Sequence, residues 1–466
     1  MYTRDATVEF LPQSSGARLS PGTWFVILAA FHVVLGVAMH RLPVIGQVHA
    51  WCALTFALYL GLTRIHPSRV IAVCFYITGS EVLWRMCQVP IRWEFGKLAL
   101  IAIAVVAILR RGYARLPVLP LLYVALLTPS VVLTMADGDI LDAVRTATFC
   151  LAGPAALFFM AWLCSHCRTD YAGFQRVIAG AALPAFAMIG QIVWTLAGRG
   201  GLSQVVFSNE SNFATSGGFG PNQVSAAMAF AALIAWFACL LAPARARAYR
   251  WLLFASALLF TAQCLITFSR TGLYLLVLSV GTSFAFMART PRARMNLVVG
   301  LLLAVLTLAV VVVPALDYAT GGAFMTRFTD TNDSHRSELA WMQLRIWFDH
   351  PLFGVGPGES LKGYAAHTEY TRMVAEHGWF GMLSLMMLAG VVLHALTRPQ
   401  PPTARAMIAG LVAFGLAYMV PSATRMVVPA ACIGIGYINI IDDSARDTPP
   451  PLPVLVRAPA QARALP

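Results

Sequence analysis

The stretch NLVVGLLLAVLTLAVVVVP, from Asn296 to Pro314, contains no charged residue. A helix needs about 20 predominantly apolar residues to cross the hydrocarbon core of a bilayer, where its backbone polar groups can only bond to one another. This stretch therefore predicts a transmembrane helix. Comparable apolar runs recur along the chain, and together they predict an all-α fold, a polytopic transmembrane helical bundle.

The composition of the 466 residues supports a membrane protein. Hydrophobic residues make up 59% of the chain and charged residues 11%, and the mean hydropathy is +0.71. Soluble domains carry about 25% charged residues, so this class is excluded. The net charge of +13 comes from basic residues scattered between apolar runs. They indicate topology signals and anchors to membrane lipids, not a nucleic-acid partner.

The apolar runs predict about fourteen transmembrane helices. The run 97–110 is short and 405–441 can form one re-entrant pair, so twelve is the alternative. The predicted spans are 23–39, 46–63, 70–88, 97–110, 116–133, 146–165, 174–197, 221–242, 250–268, 271–288, 296–314, 377–397, 405–421 and 426–441.

Short arginine-rich loops orient these helices. If the spans alternate, five such loops fall on the same side of the membrane, and the positive-inside rule makes that side cytoplasmic. We therefore expect the N-terminus and the C-terminal tail in the cytoplasm. The loops hold Arg64, Arg69, Arg110, Arg111, Arg115, Arg245, Arg247, Arg250, Arg289, Arg292, Arg294, Arg398 and Arg405.

Four regions follow from this pattern. They are an N-terminal transmembrane bundle (1–314), a large external loop (315–376), C-terminal transmembrane helices (377–441) and a disordered cytoplasmic tail (442–466). The tail is assigned as disordered because it is rich in proline and has no core-forming pattern.

The large external loop is expected to contain short helices. Asp333 and Ser334 are good N-caps, and apolar and aromatic residues follow at helical spacing until Pro351, which predicts an amphipathic helix at the outer membrane surface. The turn GVGPG (354–358) lets its backbone approach another group closely. A second short helix is expected from about residue 360 to residue 376.

A histidine motif lies in this second helix. His367 is followed by the hydroxyl residue Thr368, nine further residues and the pair Gly378-x-x-Gly381. The pattern resembles the motif of bacterial O-antigen ligases, whose superfamily also holds O-antigen polymerases and protein O-oligosaccharyltransferases. Thr368 stands where the ligase motif usually has Asn, Ser or Gln.

Three further stretches support the resemblance. FSRTGLY (268–274) is similar to a Ser-Arg-x-Gly turn at the start of a transmembrane helix in this superfamily. GGFGPNQVSAAMA (217–229) is similar to its Gly-Pro-Asn turn, and HRSELAWMQLRIWFDHPLFGVGPG (335–358) is similar to the segment that opens its large periplasmic loop. These motifs cover about residues 210–385.

The resemblance implies an enzyme, namely a metal-independent glycosyltransferase with no cofactor. Its donor would be a glycan on undecaprenyl diphosphate and its acceptor a sugar hydroxyl of lipid A–core, at the periplasmic face of the bacterial inner membrane. The alternatives are an O-antigen polymerase or a protein O-oligosaccharyltransferase and, less favoured, a lipid-linked glycan transporter. One large loop and a short tail favour the ligase, and the lack of an internal repeat disfavours a transporter.

His367 and Arg270 are the predicted catalytic residues. A neutral imidazole can accept the proton of an attacking hydroxyl, and the resemblance gives this role to His367. The bond that breaks leaves a charged lipid diphosphate, which arginine can bind bidentately. Arg270 lies in a two-residue turn at the outer membrane boundary. His335, His350 and His377 compete with His367 for the role of base.

Arginines at other external helix ends are predicted to bind the diphosphate or the glycan. Arg336 lies within a matching motif, whereas Arg85, Arg92 and Arg145 are chosen by position alone. Each of them can instead be an interfacial anchor. Because Glu81 lies four residues before Arg85, these two can also form an intramembrane ion pair.

No metal site is predicted. The chain lacks the H-E-x-x-H pattern of helix-borne zinc sites. Asp137, Asp139 and Asp142 share an external loop and could hold a divalent cation. A solvated acidic loop is the simpler interpretation.

Overall fold

The computed structural model describes residues 19–136, 139–208, 210–287, 291–329, 336–361, 368–421 and 426–442. These residues are 79% helical and contain almost no strand, which confirms the all-α class. The α-helices are α1 (Pro21–Arg41), α2 (Pro43–Leu62), α3 (Pro67–Met86), α4 (Phe95–Arg111), α5 (Val118–Ala125), α6 (Thr128–Ala136), α7 (Ile140–Ser165), α8 (Tyr171–Ala179), α9 (Leu183–Ala197), α10 (Pro221–Leu241), α11 (Arg247–Ile266), α12 (Arg270–Met287), α13 (Pro291–Thr307), α14 (Val313–Ala319), α15 (Ala323–Thr329), α16 (Arg336–Asp349), α17 (Glu369–Thr397), α18 (Pro402–Tyr418) and α19 (Val428–Gly434).

Short elements join some of these helices. A π-helical turn, Leu308–Val312, connects α13 to α14, and 3-10 turns flank α9 and follow α19. Two two-residue strands, β1 (Arg168–Thr169) and β2 (Asn439–Ile440), pair in parallel and tie the end of α7 to the end of the described chain.

Within the described residues, nine helices are long and apolar enough to cross a membrane. The chain is therefore a multi-pass membrane protein. Three shorter apolar helices, Val118–Val132, Pro402–Tyr418 and Val428–Tyr437, add to these nine. The predicted figure of fourteen is reached only when α3 and α4 are included as well. Helix α3 carries three charged residues, and α4 has only 17 residues.

Prolines mark the starts of several membrane helices. Pro21, Pro43, Pro67, Pro221 and Pro402 each occupy the first turn of a helix. Proline is suited to this position because its φ is already helical and the N–H it lacks would have no partner within the helix. Helices α1, α2 and α3 begin two to three residues before the starts that the apolar runs predict, because each includes its proline in the first turn.

Small residues let the helices pack closely. A Cβ added to Gly36 would lie 1.9 Å from the Ala187 carbonyl oxygen, and one added to Gly79 would lie 2.2 Å from that of Ala181. Without a hydrophobic force between helices in lipid, such close backbone contact supplies the packing energy. Helix α10 lies in the middle of this packing and is buried along most of its length.

A cavity lies near each end of helices α4 and α7. Residues near their starts line one cavity, and residues at or just beyond their ends line another. Arg145 and Ser165 lie twenty residues apart on α7, which corresponds to about 30 Å of helix. This is the thickness of the hydrocarbon core, so the two cavities lie near opposite membrane surfaces.

Candidate active site

Two adjoining cavities form a cleft where α3 ends and α4 and α7 begin. The inner cavity measures about 290 Å³ and the outer about 540 Å³, and both are lined by Arg92 and Trp93. Glu81, Arg85 and Phe219 are among the residues of the inner cavity. The outer cavity adds Glu94, Arg145, Thr146, Phe149, Gly358 and Glu359. We call this continuous space the arginine cleft.

Arg85 forms the ion pair that the sequence allowed, and it also lines the inner cavity. Its Nη2 donates to Glu81 Oε1 at 2.8 Å, so the intramembrane ion pair exists. The same guanidinium group donates to the Trp93 carbonyl oxygen at 3.0 Å and lies 4.5 Å from the centroid of the Trp93 ring. Because Arg85 also lines the inner cavity, the pair holds a cation at the cleft surface.

Arg92, in the connection between α3 and α4, and Arg145, on α7, both face the outer cavity. Arg92 is exposed, and its Nε lies 4.0 Å from Glu94 Oε2, a long and solvent-screened ion pair. Arg145 is also exposed, one turn into α7. Exposed pairs contribute little stability, so Arg92 and Arg145 can turn to an incoming anion at small cost.

The glycine turn closes one side of the outer cavity. Gly354, Gly356 and Gly358 all have positive φ, a conformation that other residues rarely adopt. A Cβ at Gly358 would lie 2.6 Å from Thr146 Cγ2 on α7. The turn therefore presses directly against the helix that carries Arg145.

Backbone contacts fix this turn to the first part of α17. The Val355 N–H donates to the Ala375 carbonyl at 3.0 Å, and the Gly356 N–H donates to the Glu376 carbonyl at 3.0 Å. A Cβ at Gly354 would lie 2.4 Å from the Glu376 backbone carbon. The predicted close approach of the turn is thus an approach to α17.

A kink at Gly378 explains the paired glycines of the motif. Gly378 has φ 58° and ψ −136° within α17, and the Trp379 N–H beyond it donates to the Pro351 carbonyl at 2.8 Å. A Cβ at Gly378 would lie 2.5 Å from the Pro351 oxygen, and one at Gly381 would lie 2.1 Å from the Met373 oxygen. Both positions require glycine because backbone occupies the side-chain space.

A buried charge network, which was not predicted from the sequence, lies behind the turn. Arg372 is fully buried between Glu369, at 2.6 Å, and Glu376, with Cys150 of α7 also in contact. Ser360 Oγ donates to the other oxygen of Glu376 at 2.7 Å. The spacing of Glu369, Arg372 and Glu376 on one helix face was visible in the sequence and could have revealed the network.

Lys97 is a second feature that was not predicted from the sequence. It is buried, its Nζ donates to the Phe149 carbonyl oxygen at 3.4 Å, and it lies 5.1 Å from the Phe149 ring centroid. Its neighbour Gly96 lines the inner cavity and Phe149 lines the outer one. Lys97 stands at the start of the predicted span 97–110, and a charged residue within such a run is itself an indication of function.

The Gly-Pro-Asn and Ser-Arg-x-Gly motifs pack against each other. Ser269 Oγ donates to Asn222 Oδ1 at 2.7 Å, and the Gly272 N–H donates to Ser225 Oγ at 3.1 Å. The first motif also reaches the cleft, because Phe219 lines the inner cavity and Gln223 Oε1 accepts a hydrogen bond from Arg85 at 3.5 Å.

The structure thus brings together Arg85, Arg92 and Arg145 of the predicted site residues. Arg270 begins α12 beside Ser269 and is half-buried, but it does not line either described cavity of the cleft. Arg336 begins α16, and its side chain lies outside the described part of the structure.

His367 also lies outside the described residues, as does its competitor His335. Of the other two histidines, His350 is exposed at the end of α16. His377 is buried, and its Nδ1 is hydrogen-bonded to Ser130 Oγ. The buried His377 side chain therefore packs beside the kink and does not line either cavity of the cleft.

In the parts of the chain that the structure describes, no three His, Cys, Asp or Glu side chains converge as a metal site would require. Asp137 lies outside these parts. Asp139 is the N-cap of α7, where its carboxylate accepts from the Leu141 N–H at 3.1 Å, and Asp142 is exposed in the first turn.

Comparison with known families matches residues 254–386 to the model described as O-Antigen ligase. The matched segment contains the Ser-Arg-x-Gly turn, α16, the glycine turn and the kink in α17, and it supports the superfamily that the motifs predicted. The Gly-Pro-Asn motif precedes the matched segment. A comparison with curated proteins found no match.

Proposed function

We propose that this chain, a member of the O-antigen ligase superfamily through residues 254–386, transfers a glycan from undecaprenyl diphosphate to a sugar hydroxyl of lipid A–core. The reaction takes place at the periplasmic face of the inner membrane and requires no metal. One observation carries the proposal: the glycine turn of the matched segment lines the same cavity as Arg92 and Arg145, which come from outside that segment.

The cleft suits a diphosphate leaving group. The acceptor oxygen attacks the anomeric carbon, the carbon–oxygen bond to the diphosphate breaks, and undecaprenyl diphosphate departs with the bonding electrons. The negative charge that develops on the diphosphate needs cations that are already in place. Arg92 and Arg145 supply guanidinium groups that bind phosphate oxygens in pairs, and the Glu81 carboxylate orients Arg85.

We assign the base to His367. This residue follows the glycine turn after a short segment and immediately precedes Thr368, next to the start of α17. It would take the proton that the acceptor hydroxyl loses as the new bond forms. Arg270, at the start of α12, and Arg336, at the start of α16, are proposed to contact the donor.

Lipopolysaccharide banding tests this function. A ligase-deficient bacterium that expresses the chain should regain high-molecular-weight ladders, and His367→Ala at matched membrane abundance should give none. His350→Ala is the matched control, because His350 is exposed on the same loop outside the cleft, and it should keep the ladders. Ladders from His367→Ala would remove this residue from the essential role.

A lack of ladders from the wild-type chain would argue against lipid A–core as the acceptor. An O-antigen polymerase would then extend lipid-linked glycans in a polymerase-deficient strain, and a protein O-oligosaccharyltransferase would shift the mass of periplasmic proteins. Both share the donor chemistry of the cleft and differ only in the acceptor.

A further inference from the structure

A further cavity, of about 720 Å³, lies at the end of the bundle opposite to the arginine cleft. It sits where α4, α7 and α17 end and α5 begins. Its polar lining includes Arg115, Arg168, Arg398, His166, His394 and Tyr437. We call it the opposite-face pocket.

The lining of this pocket favours an anion. None of the described residues that line it is acidic. The carboxylate nearest in sequence to Arg168 belongs to Asp170, which caps α8 by accepting from the Gly173 N–H at 2.7 Å. Arg398 donates to the Tyr437 carbonyl oxygen, which holds its guanidinium group at the pocket. A concave site with cations on several sides concentrates negatively charged ligands.

The other wall of the pocket is apolar. It consists of residues 116–119, and Leu116 and Val118 are largely exposed. Leu119 packs against Gly390 of α17, and the exposed Leu121 and Leu122 continue the apolar surface along α5. A free phosphate ion would gain nothing from this wall, whereas a lipid can place its headgroup on the arginines and its acyl chains on α5.

The polar part of the pocket is held in place by its own contacts. His166 stacks on Tyr113 with ring centroids 4.2 Å apart, and its Nδ1 lies 3.1 Å from the Trp162 carbonyl oxygen. His394 packs on the Tyr437 ring at 4.8 Å. The Asn439 N–H donates to the Cys167 carbonyl at 3.0 Å and so fixes β2 beside the pocket. The side chains of His166, His394 and Tyr437 therefore need little ordering when a ligand binds.

We propose that the opposite-face pocket binds the phosphate-bearing headgroup of an anionic phospholipid, with the acyl chains lying along α5. Basic pockets between membrane helices at the level of the headgroups have this function on physical grounds, since each arginine near an anionic headgroup contributes to binding. The site is separate from the arginine cleft, and the proposal does not depend on the transferase activity.

Native mass spectrometry of the detergent-purified full chain tests the proposal. Titration with phosphatidylglycerol should give at least tenfold tighter binding than titration with phosphatidylcholine. Arg115→Gln and Arg168→Gln should each weaken phosphatidylglycerol binding by about fivefold, and together by about 25-fold. Both arginines are exposed, so the substitutions should leave the fold intact.

The matched control is Arg245→Gln, an exposed arginine in the loop after α10 on the same face but outside the pocket. It should bind phosphatidylglycerol as the wild type does. Equal weakening by the control would show a general surface effect and overturn the proposal. Binding of inorganic phosphate, or of short-chain phosphatidylglycerol, as tightly as the long-chain lipid would identify a headgroup-only anion site and also overturn it.

Discussion

Ser360 Oγ donates a hydrogen bond to Glu376 Oε1 at 2.7 Å, and the opposite oxygen of that carboxylate binds the buried guanidinium group of Arg372. These two contacts connect the segment that lines the arginine cleft to the buried charge network at the start of α17. The glycine turn is therefore part of a rigid unit, and its position depends on charges that do not face the cleft.

Glu376→Gln should destabilise the protein strongly. It removes one of the two carboxylates that compensate the buried Arg372, and breaking a buried ion pair costs about 3–5 kcal/mol because it leaves a charge without compensation. Thermal unfolding of the purified protein should show a clear fall in Tm.

The control for this change is Glu210→Gln, which alters an exposed carboxylate on the cleft side of the bundle. Its Tm should match the wild type. An unchanged Tm for Glu376→Gln would show that the network does not support the fold.

Gly358→Ala should lower transferase activity by more than its effect on folding explains. The added Cβ would lie 2.6 Å from Thr146 Cγ2, and it would force the turn away from Arg145. Adding Thr146→Ser removes that methyl group, so the double variant should recover part of the activity. Ladder intensity at matched membrane abundance measures the recovery.

Gly321→Ala is the control for backbone strain. Gly321 also has positive φ, but a Cβ there would meet no atom within 4 Å. If Gly321→Ala lost as much activity as Gly358→Ala, or if Thr146→Ser rescued nothing, strain and not the contact with α7 would be responsible.

Arg92→Gln and Arg145→Gln should each reduce kcat/KM for the lipid-linked donor by about 10- to 100-fold, since a hydrogen bond to a charged group contributes about 1.5–3 kcal/mol. Their Tm should not change, because both side chains are exposed. Arg199→Gln, another exposed arginine near the cleft end, should keep full activity. Normal donor kinetics in both cleft variants would place the diphosphate elsewhere.

Much of the fold could be predicted from the sequence because lipid imposes a simple rule on helix length and composition. The proline-marked starts of α1, α2 and α3 fall within a few residues of the expected positions. The second short helix expected from about residue 360 to residue 376 is observed from Glu369 onward as the first part of α17, which continues into the membrane helix across a kink at Gly378. The Trp379 N–H bonds to the Pro351 carbonyl outside the helix at this kink.

The site was harder to predict because it depends on contacts between distant segments. Position at helix ends was enough to select Arg85, Arg92 and Arg145, which share the cleft. No rule of spacing places Gly358 against Thr146, because that contact joins residues more than 200 positions apart. The hydropathy pattern did not indicate Lys97, because its apolar neighbours outweigh a single charged residue in the average.

The most direct test of the central claim is transfer by the purified protein in vitro. Undecaprenyl-diphosphate-linked glycan and lipid A–core are supplied together, and the covalent product is detected by mass. The account predicts product and an equal amount of released undecaprenyl diphosphate with the wild type, and both reduced about 10- to 100-fold with Arg145→Gln. Undiminished product from Arg145→Gln, or consumption of donor by the wild type with no glycan joined to lipid A–core, would contradict it.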